Sequence, residues 1–303
     1  MKRYFLFLAV LSVVLIGCLK PTNAESSNEN HEQDSSVVKV DQAESSFPKR
    51  VCDIPLPKGY DRVVLDDTTS FAYFLRYLPL KPEGSPVMTY DGYEAGTTDV
   101  AYAVIDAYGP SNENIQQCAD AIIRLRAEWL YQNKRYDEIA FHFTNGWLCE
   151  YKRWADGERV RVEGNKTSWY KAFNSTDYSY STFQQYLRMV FYYAGTLSLE
   201  KELRPASITD IQIGDVFIKG GSPGHSIIVV DVALKSEGEH KGERCFIVAE
   251  SYMPAQNIHI LKNVNKGFEN ISPWYFIDEI IRNGEYDYNF ASYSFSGLHL
   301  KCF

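Results

Sequence analysis

The stretch Gly214–Asp231 reads GDVFIKGGSPGHSIIVVD. Two runs rich in Val and Ile flank a turn of Gly, Ser and Pro, which predicts two strands joined by a hairpin. A third strand is predicted over Cys245–Glu250, after a charged loop from Lys235 to Glu243. We therefore expect these strands to form the centre of the fold.

His225 opens the second of these strands, directly after Pro223 and Gly224. A histidine at this point is held on a rigid scaffold but at its edge, where a ligand can reach it. This is a suitable position for a general base. A surface histidine at the end of a strand fits the same pattern, so both interpretations stay open for this segment alone.

Length and composition limit the class of protein. With 303 residues, 45% of them hydrophobic and 23% charged, the chain is able to bury a full core. The formal net charge of −8 argues against nucleic acid as a partner, because nucleic acid requires a basic face. The spacing of Cys and His suggests no metal site, and we expect no cofactor.

The N-terminus has the pattern of an export signal. Lys2 and Arg3 precede an apolar run over residues 4–16, which is too short to span a bilayer. The run ends in LIGC at residues 15–18, which resembles the lipobox of bacterial lipoproteins. The resemblance implies removal of residues 1–17 and diacylation of Cys18, which would anchor the protein to a membrane of the cell envelope, expected to be the outer membrane. Ordinary secretion is the alternative.

The rest of the chain divides into a tether and a folded part. Residues 18–46 are rich in Ser, Glu, Asn and Asp, which predicts a disordered polar tether. Residues 47–303 are predicted to form a single α+β domain. An odd number of cysteines follows Cys18, so at least one exported thiol should be unpaired within the chain. These cysteines are Cys52, Cys118, Cys149, Cys245 and Cys302.

A helix is predicted from Asn114 to Asn133, with Asn114 as its N-cap. Cys118 then lies in the first turn, where unpaired N–H groups and the helix dipole favour a thiolate. A small apolar residue on the buried stripe of the helix fits the same spacing, so a packing role for Cys118 stays open.

Other segments lead to simpler expectations. Strands and turns are predicted over residues 51–110, and a loop-rich excursion is predicted over 152–176. A second helix is predicted to begin at Ser181, whose hydroxyl caps it. A short helix is predicted over Phe276–Arg282.

Three residues occur in the order nucleophile, base and orienting group. Cys118 would supply the thiolate, His225 the imidazole that exchanges its proton, and Glu250 the acceptor that fixes the ring. Gln117, or a backbone N–H at the helix start, is a candidate donor to the oxyanion. Asp231 is an alternative orienting group, because it is six positions along the strand from His225 and an even offset places both residues on one face.

Short motifs in this order resemble the CHAP-type and NlpC-type cysteine amidases of peptidoglycan. They are Gln117-Cys118 at a helix start, Gly214-Asp215-Val216, Gly224-His225 opening an aliphatic strand, and Glu250-Ser251. The resemblance implies an α+β, papain-like core in which an antiparallel sheet packs on helices. The separation of Cys118 from Gly214 exceeds that of the amidases, so residues 139–176 would be an insertion.

Nearly the whole mature chain also resembles a bacterial lipoprotein family catalogued as domain of unknown function 4846. The segments that carry this likeness are QQCADA at 116–121, RLRAE at 124–128, YAGTLSL at 193–199, the stretch 214–231, and SYMPAQ at 251–256. The resemblance to this family implies no particular activity.

Two functions remain as expectations. The first is an envelope-anchored lipoprotein that acts as a cysteine hydrolase on amide bonds of peptidoglycan or peptides. The alternative is a non-catalytic lipoprotein on an amidase-like scaffold, which binds glycan or peptidoglycan through aromatic side chains. The 22 Tyr and 5 Trp motivate this second hypothesis, although such rings also serve packing.

Overall fold

The computed structural model describes residues 47–266, 272–277, 281–282 and 285–303. The predicted signal peptide, the lipidation site Cys18 and the predicted tether lie outside the described residues. The helices are α1 (Phe71–Arg76), α2 (Cys118–Gln132), α3 (Tyr151–Ala155), α4 (Tyr180–Tyr193) and α5 (Thr196–Glu202). In the part of the chain described, no helix is both long enough and apolar enough to cross a membrane.

The strands account for most of the described elements. In chain order they are β1 (Tyr60–Arg62), β2 (Ala101–Val104), β3 (Ala140–His142), β4 (Leu148–Glu150), β5 (Glu158–Glu163), β6 (Lys166–Lys171), β7 (Arg204–Pro205), β8 (Val216–Lys219), β9 (His225–Lys235), β10 (Arg244–Glu250), β11 (His259–Leu261), β12 (Tyr275–Phe276), β13 (Ile281–Arg282), β14 (Glu285–Asn289), β15 (Ser294–Ser296) and β16 (Leu300–Cys302).

A large sheet lies at the centre of the fold. Its main path runs β2-β11-β10-β9-β8-β16-β7, with β1 paired to β9 and β12 paired to β10. The predicted hairpin is present as β8 and β9, which pair antiparallel with Val216 opposite Ile228. The α+β class and the antiparallel sheet with helices packed on it are therefore confirmed.

The two faces of the sheet belong to different clusters of apolar side chains. Ile228 and Val230 pack in a core with residues of α1, α2 and α4. Ile227 and Val229 pack on the other face, together with Phe290 and Phe295 near the C-terminus. Alternate residues of β9 thus serve opposite sides of one sheet, as strand geometry requires.

The β9–β10 pair contains a bulge. Asp231 lies opposite Ile247 and Val229 lies opposite Val248, so β9 has one residue more than β10 between these pairs. Val232 consequently packs on the same side as Val229, although it is three positions further along the strand and regular alternation would place it on the opposite side. The bulge therefore reverses the alternation of faces along the second half of β9.

Both long helices begin near the predicted positions, but with different caps. Helix α2 begins at Cys118, with Gln117 as N-cap and a hydrogen bond from its backbone N–H to Asp120. Asn114 lies outside this helix, and its side chain instead accepts a hydrogen bond from the N–H of Ala255. Helix α4 begins at Tyr180, because the hydroxyl of Ser179 caps it.

Three other predictions differ from the structure. Helix α1 lies within the region predicted to contain only strands and turns, where Ser70 caps it. Residues 152–176, predicted to be loop-rich, contain most of α3 and the hairpin of β5 and β6. The short helix predicted over Phe276–Arg282 is wrong at both ends, because Tyr275–Phe276 pairs with β10 and Ile281–Arg282 pairs with β14. In Tyr275–Phe276 and Ile281–Arg282, pairing with neighbouring strands outweighs the local preference for a helix.

Candidate functional site

A cleft of about 700 Å³ opens where α2, β9 and the segments after β10 and before β15 meet. Cys118 enters it from the first turn of α2, and His225 enters it from the first residue of β9. Tyr192, Tyr252 and Tyr293 also line the cleft. Elements far apart in sequence thus bring a thiol, an imidazole and several aromatic rings to one concave surface.

Cys118 and His225 are side-chain partners in this cleft. Both side chains line this cleft, and hydrogen bonding to Cys118 is the largest cause that raises the pKa of His225. The Nε2 atom of His225 lies 2.7 Å from Oε2 of Glu250, which leaves Nδ1 as the ring nitrogen available to the thiol. The imidazole therefore joins a cysteine on one side to a carboxylate on the other.

Glu250 is the last residue of β10 and is 1% exposed. The β9–β10 register pairs Ile228 with Ala249, which brings His225 and Glu250 to the same end of adjacent strands. Oε2 of Glu250 also accepts a hydrogen bond of 2.6 Å from the hydroxyl of Ser292. Two donors thus hold this carboxylate oxygen in place.

The electrostatics of the pair favour charges on both partners. Burial lowers the pKa of His225, but the side chains of Cys118 and Glu250 outweigh it and raise that pKa to about 9. Burial raises the pKa of Glu250, yet His225 and His259 outweigh it and lower that pKa to about 2. At neutral pH the ring of His225 is therefore cationic and the carboxyl of Glu250 is anionic.

Aromatic rings enclose His225. Its ring centroid lies 5.0 Å from that of Tyr252 and 5.3 Å from that of Tyr293, and the Tyr293 hydroxyl approaches the Pro223 carbonyl at 3.4 Å. Burial is the largest cause of a raised pKa for Tyr252, so its hydroxyl stays neutral. These rings limit both the movement of the imidazole and the access of water to it.

Gln117 lines the same cleft. Its side-chain amide donates a long hydrogen bond of 3.4 Å to Asn114, so the amide is only weakly held. The backbone N–H of Cys118 is at the first helical position, where its own helix offers no acceptor. Both donors considered for an oxyanion therefore lie beside the thiol.

Asp120, two residues after Cys118, is a buried carboxyl in the wall of the cleft. Burial raises its pKa to about 8, although the N–H groups of Gln117 and of Asp120 itself act in the opposite direction. A neutral carboxyl therefore completes the N-terminal turn of α2 at neutral pH.

The cysteines of the folded part are all unpaired in the structure. Cys149 and Cys245 are buried, and burial raises the pKa of each thiol far above its ordinary value. Cys52 is partly exposed, and burial followed by the charge of Asp53 raises its pKa as well. Among the residues described, no group of three or more His, Cys, Asp or Glu side chains is arranged to hold a metal ion.

The sequence profile of a family described as domain of unknown function (4846) matches residues 52–296. The chain belongs to this family. No curated protein and no solved structure matches the chain. The region that carries the domain 4846 match contains Cys118, His225, Glu250 and Ser292, so the entire side-chain cluster lies within the family's own domain.

Asp231 does not serve His225 in this member of the domain 4846 family. Its two carboxylate oxygens each lie 2.7 Å from an arginine, Oδ1 from Arg76 and Oδ2 from Arg62. The even spacing from His225 does not place both residues on one face, because the bulge at Val230 reverses the alternation between them. The prediction of Asp231 as an orienting group is therefore wrong.

No sequence pattern indicated four residues around His225 and Glu250, which are Tyr252, His259, Ser292 and Tyr293. Ser292 reaches Glu250 from the turn before β15, and His259 lies directly opposite Glu250 on β11. His259 follows the SYMPAQ segment and alternates with apolar residues, which is the pattern of a strand and gives no sign of its partner. Only the pairing of β10 with β11 reveals this contact.

Position 224, directly before the first residue of β9, has no room for a side chain and therefore requires glycine. A Cβ at this position would lie 2.6 Å from Oγ1 of Thr196 and 2.8 Å from the carbonyl oxygen of Lys219. We expect Gly224→Ala to lower the free energy of unfolding by about 1–3 kcal/mol and to displace His225. Urea denaturation measures the loss, with Gly96→Ala as the control because a Cβ there meets nothing within 4 Å. Equal stability of the two variants would contradict the packing argument.

Proposed function

We propose that this protein is a cysteine hydrolase that cleaves amide bonds in peptidoglycan or peptides. Cys118 would be the nucleophile, His225 the general base and acid, and Glu250 the group that orients the imidazole. The observation that carries the proposal is that Cys118 and His225 line one cleft, where Cys118 raises the pKa of His225 and Glu250 lies 2.7 Å from the same ring. Such a series is the arrangement that activates a cysteine for acyl transfer.

The reaction would proceed in two steps. The Cys118 thiolate attacks the carbonyl carbon of the substrate, and His225 gives its proton to the leaving amine as the C–N bond breaks. A thioester remains on Cys118. Water then attacks this thioester while His225 takes its proton, which releases the acid and restores the Cys118 thiolate beside the cationic ring. The cationic ring expected near neutral pH is the form that stabilises a thiolate and donates the first proton.

During each step the carbonyl oxygen of the substrate becomes negatively charged, and a hydrogen-bond donor must stabilise it. The N–H of Cys118 at the start of α2 is the donor that this helix leaves free, and the side chain of Gln117 is a second candidate in the same cleft. Glu250 would keep its negative charge throughout, and its role is to hold the imidazole in one orientation.

The cellular setting of the proposal rests on the sequence. The lipobox-like segment at residues 15–18 supports an envelope lipoprotein anchored through Cys18, with the outer membrane as the expected site. The motifs shared with CHAP-type and NlpC-type amidases support a papain-like core and a peptidoglycan substrate. The antiparallel sheet with α2 against β9 is compatible with that core.

A second candidate function is binding without catalysis. Tyr192, Tyr252 and Tyr293 line the cleft beside Met253, whose side chain is 65% exposed. Rings with one apolar face and one polar end suit a glycan or peptide. A binding protein of this kind would hold cell-wall material equally well after Cys118→Ala, whereas a hydrolase would lose turnover in the same variant.

The pH dependence of alkylation at Cys118 tests the proposed function without a known substrate. We expect Cys118 to react with iodoacetamide well below pH 8.5, the range in which an ordinary cysteine ionises. We also expect His225→Ala to shift the midpoint of this reaction upward. Peptide mass spectrometry separates the thiols, and Cys149 and Cys245 are internal controls because they are buried.

The outcomes separate the two functions. If Cys118 reacts at low pH and His225→Ala removes that reactivity, the two side chains act as nucleophile and base. If Cys118 resists alkylation in the folded protein, as Cys149 should, the thiol is a packing residue. The hydrolase proposal then fails and the binding function becomes the better one.

A further inference from the structure

The two oxygens of Glu250 have different surroundings. Oε2 accepts hydrogen bonds from His225 and Ser292. Oε1 is buried and has no hydrogen-bond partner among the described residues, and Nε2 of His259 lies 3.5 Å from it. A fully buried carboxylate oxygen without a partner is costly, so this second contact requires an explanation.

His259 is placed to face this oxygen. It is fully buried on β11, directly opposite Glu250 on β10. Its Nδ1 lies 3.1 Å from the carbonyl oxygen of Asn257. A carbonyl oxygen only accepts hydrogen bonds, so Nδ1 must carry a proton.

Whether Nε2 of His259 carries a proton decides whether its contact with Oε1 of Glu250 is attractive or repulsive. If Nε2 of His259 had no proton, its lone pair would face a carboxylate oxygen in a site closed to water. If Nε2 carries a proton, the two atoms form an ion pair, and both buried groups gain a partner. The geometry therefore favours a proton on both nitrogens of the ring.

We propose that His259 is a positioning residue, an imidazolium that binds the free oxygen of Glu250 and thereby fixes the carboxylate for His225. The inference rests on the proposed function, because it assigns His259 to the support of the same catalytic imidazole. Cys118, His225, Glu250 and His259 then form a row in which negative and positive groups alternate. The carboxylate is held at both oxygens and cannot turn away from His225.

Few other ionisable groups act on this row. Tyr252 follows β10 and Tyr275 lies on β12, and burial raises the pKa of both hydroxyls, with the charge of Glu250 acting in the same direction. Both phenols therefore remain neutral over the range in which imidazoles titrate. On the other side of His259, its partner on β2 is Val104, which has no charge. In the same cleft, burial raises the pKa of Asp120 to about 8, so changes near neutral pH are attributable to the two histidines, the thiol and this carboxyl.

The first test observes the unmodified protein. The full chain is labelled with ¹⁵N-histidine, and two-bond ¹H–¹⁵N spectra report the proton on each ring nitrogen. We expect both nitrogens of His259 to carry protons at pH 7, with His259→Gln used to assign its signals. A spectrum in which Nε2 of His259 has no proton overturns the proposal.

The second test measures the effect on Cys118. His259→Phe keeps a ring of similar size but has no N–H, and we expect it to raise the midpoint pH of Cys118 alkylation by about one unit. His259→Gln keeps a donor without a charge and should recover part of that shift. A folded Phe variant with the wild-type midpoint overturns the proposal. If His225→Ala shifts the midpoint and His259→Phe does not, only the role of His259 fails, whereas no effect of His225→Ala contradicts the hydrolase itself.

Discussion

Glu250→Gln is expected to slow alkylation of Cys118 at pH 6 by about tenfold or more and to move its midpoint to higher pH. The amide fits the same space and still accepts a hydrogen bond from His225, but it has no charge to stabilise an imidazolium. The cation at His225 is what favours a thiolate at Cys118. Without the Glu250 carboxylate, His225 is less often cationic, and the thiolate of Cys118 is therefore less favoured.

The same substitution should change how stability depends on pH. The pKa of His225 is raised from 6.5 to about 9, so its contribution to stability is fully present below pH 6.5 and is lost as pH rises through 9. The pKa of Glu250 is lowered from 4.5 to about 2, so its contribution is present above pH 4.5 and is lost as pH falls through 2. Between pH 6.5 and 9, the wild-type protein should lose at most about 3 kcal/mol, and Glu250→Gln should lose less, because the Cys118 side chain still raises the pKa of His225 but the carboxylate no longer does.

A matched control uses the same chemical change at the surface. Glu113 pairs with Arg188 in an exposed ion pair that lowers the pKa of Glu113 to about 2, so Glu113→Gln should leave the alkylation profile and the pH dependence of unfolding between pH 6.5 and 9 unchanged. The comparison separates the role of the buried carboxylate from a general loss of negative charge. If Glu250→Gln keeps the wild-type profile while His225→Ala abolishes it, Glu250 does not orient the base.

Local sequence patterns predicted the residues of the site that lie at the ends of strong elements. His225 begins a strand after a Gly and Pro turn, Glu250 ends the next strand, and Cys118 lies in the first turn of an amphipathic helix. Each of these positions follows from the spacing of apolar residues and from the Gly and Pro residues at the ends of elements, which are visible in a short segment of sequence. The contact of His225 with Glu250 then follows from the hairpin that joins their strands.

The remaining features depend on contacts between distant segments. Ser292 and His259 meet Glu250 through a turn and a strand pair whose register no local pattern reveals. The error at Asp231 has a specific cause, because a bulge adds one residue to β9 and no Gly or Pro marks it in the sequence. The cap of α4 also differs from the prediction, because the hydroxyl of Ser179 accepts a hydrogen bond from the N–H of Thr182, whereas Ser181 lies inside the helix.

Arg76→Met is expected to lower the free energy of unfolding by about 3–5 kcal/mol, the largest loss of stability that we predict. The side chain of Asp231 is fully buried, and Arg76, 7% exposed, lies 2.7 Å from it. Arg76 also donates to the carbonyl oxygens of Val63 and Val232. The variant therefore leaves a buried carboxylate half-paired and two backbone acceptors without this donor.

The loss should depend on pH in a defined direction. Burial already raises the pKa of Asp231 in spite of its two arginines, and removal of Arg76 should raise it further. A proton on Asp231 relieves the buried charge, so Arg76→Met should be less destabilising at pH 5 than at pH 8. Urea denaturation at both pH values measures this difference, with Arg188→Met as a control that should cost less than about 1 kcal/mol because its ion pair is exposed.

The reactivity of the same variant tests the assignment of the orienting group. Asp231 lies beyond the bulge on β9 and binds Arg62 and Arg76, whereas Glu250 contacts His225 directly. Folded Arg76→Met should therefore keep the wild-type midpoint of Cys118 alkylation despite its low stability. A shift as large as that of Glu250→Gln would mean that Asp231 acts on His225 after all. The two carboxylates are thus expected to have separate roles, since Asp231 on β9 stabilises the fold through its arginines and Glu250 on β10 orients the imidazole.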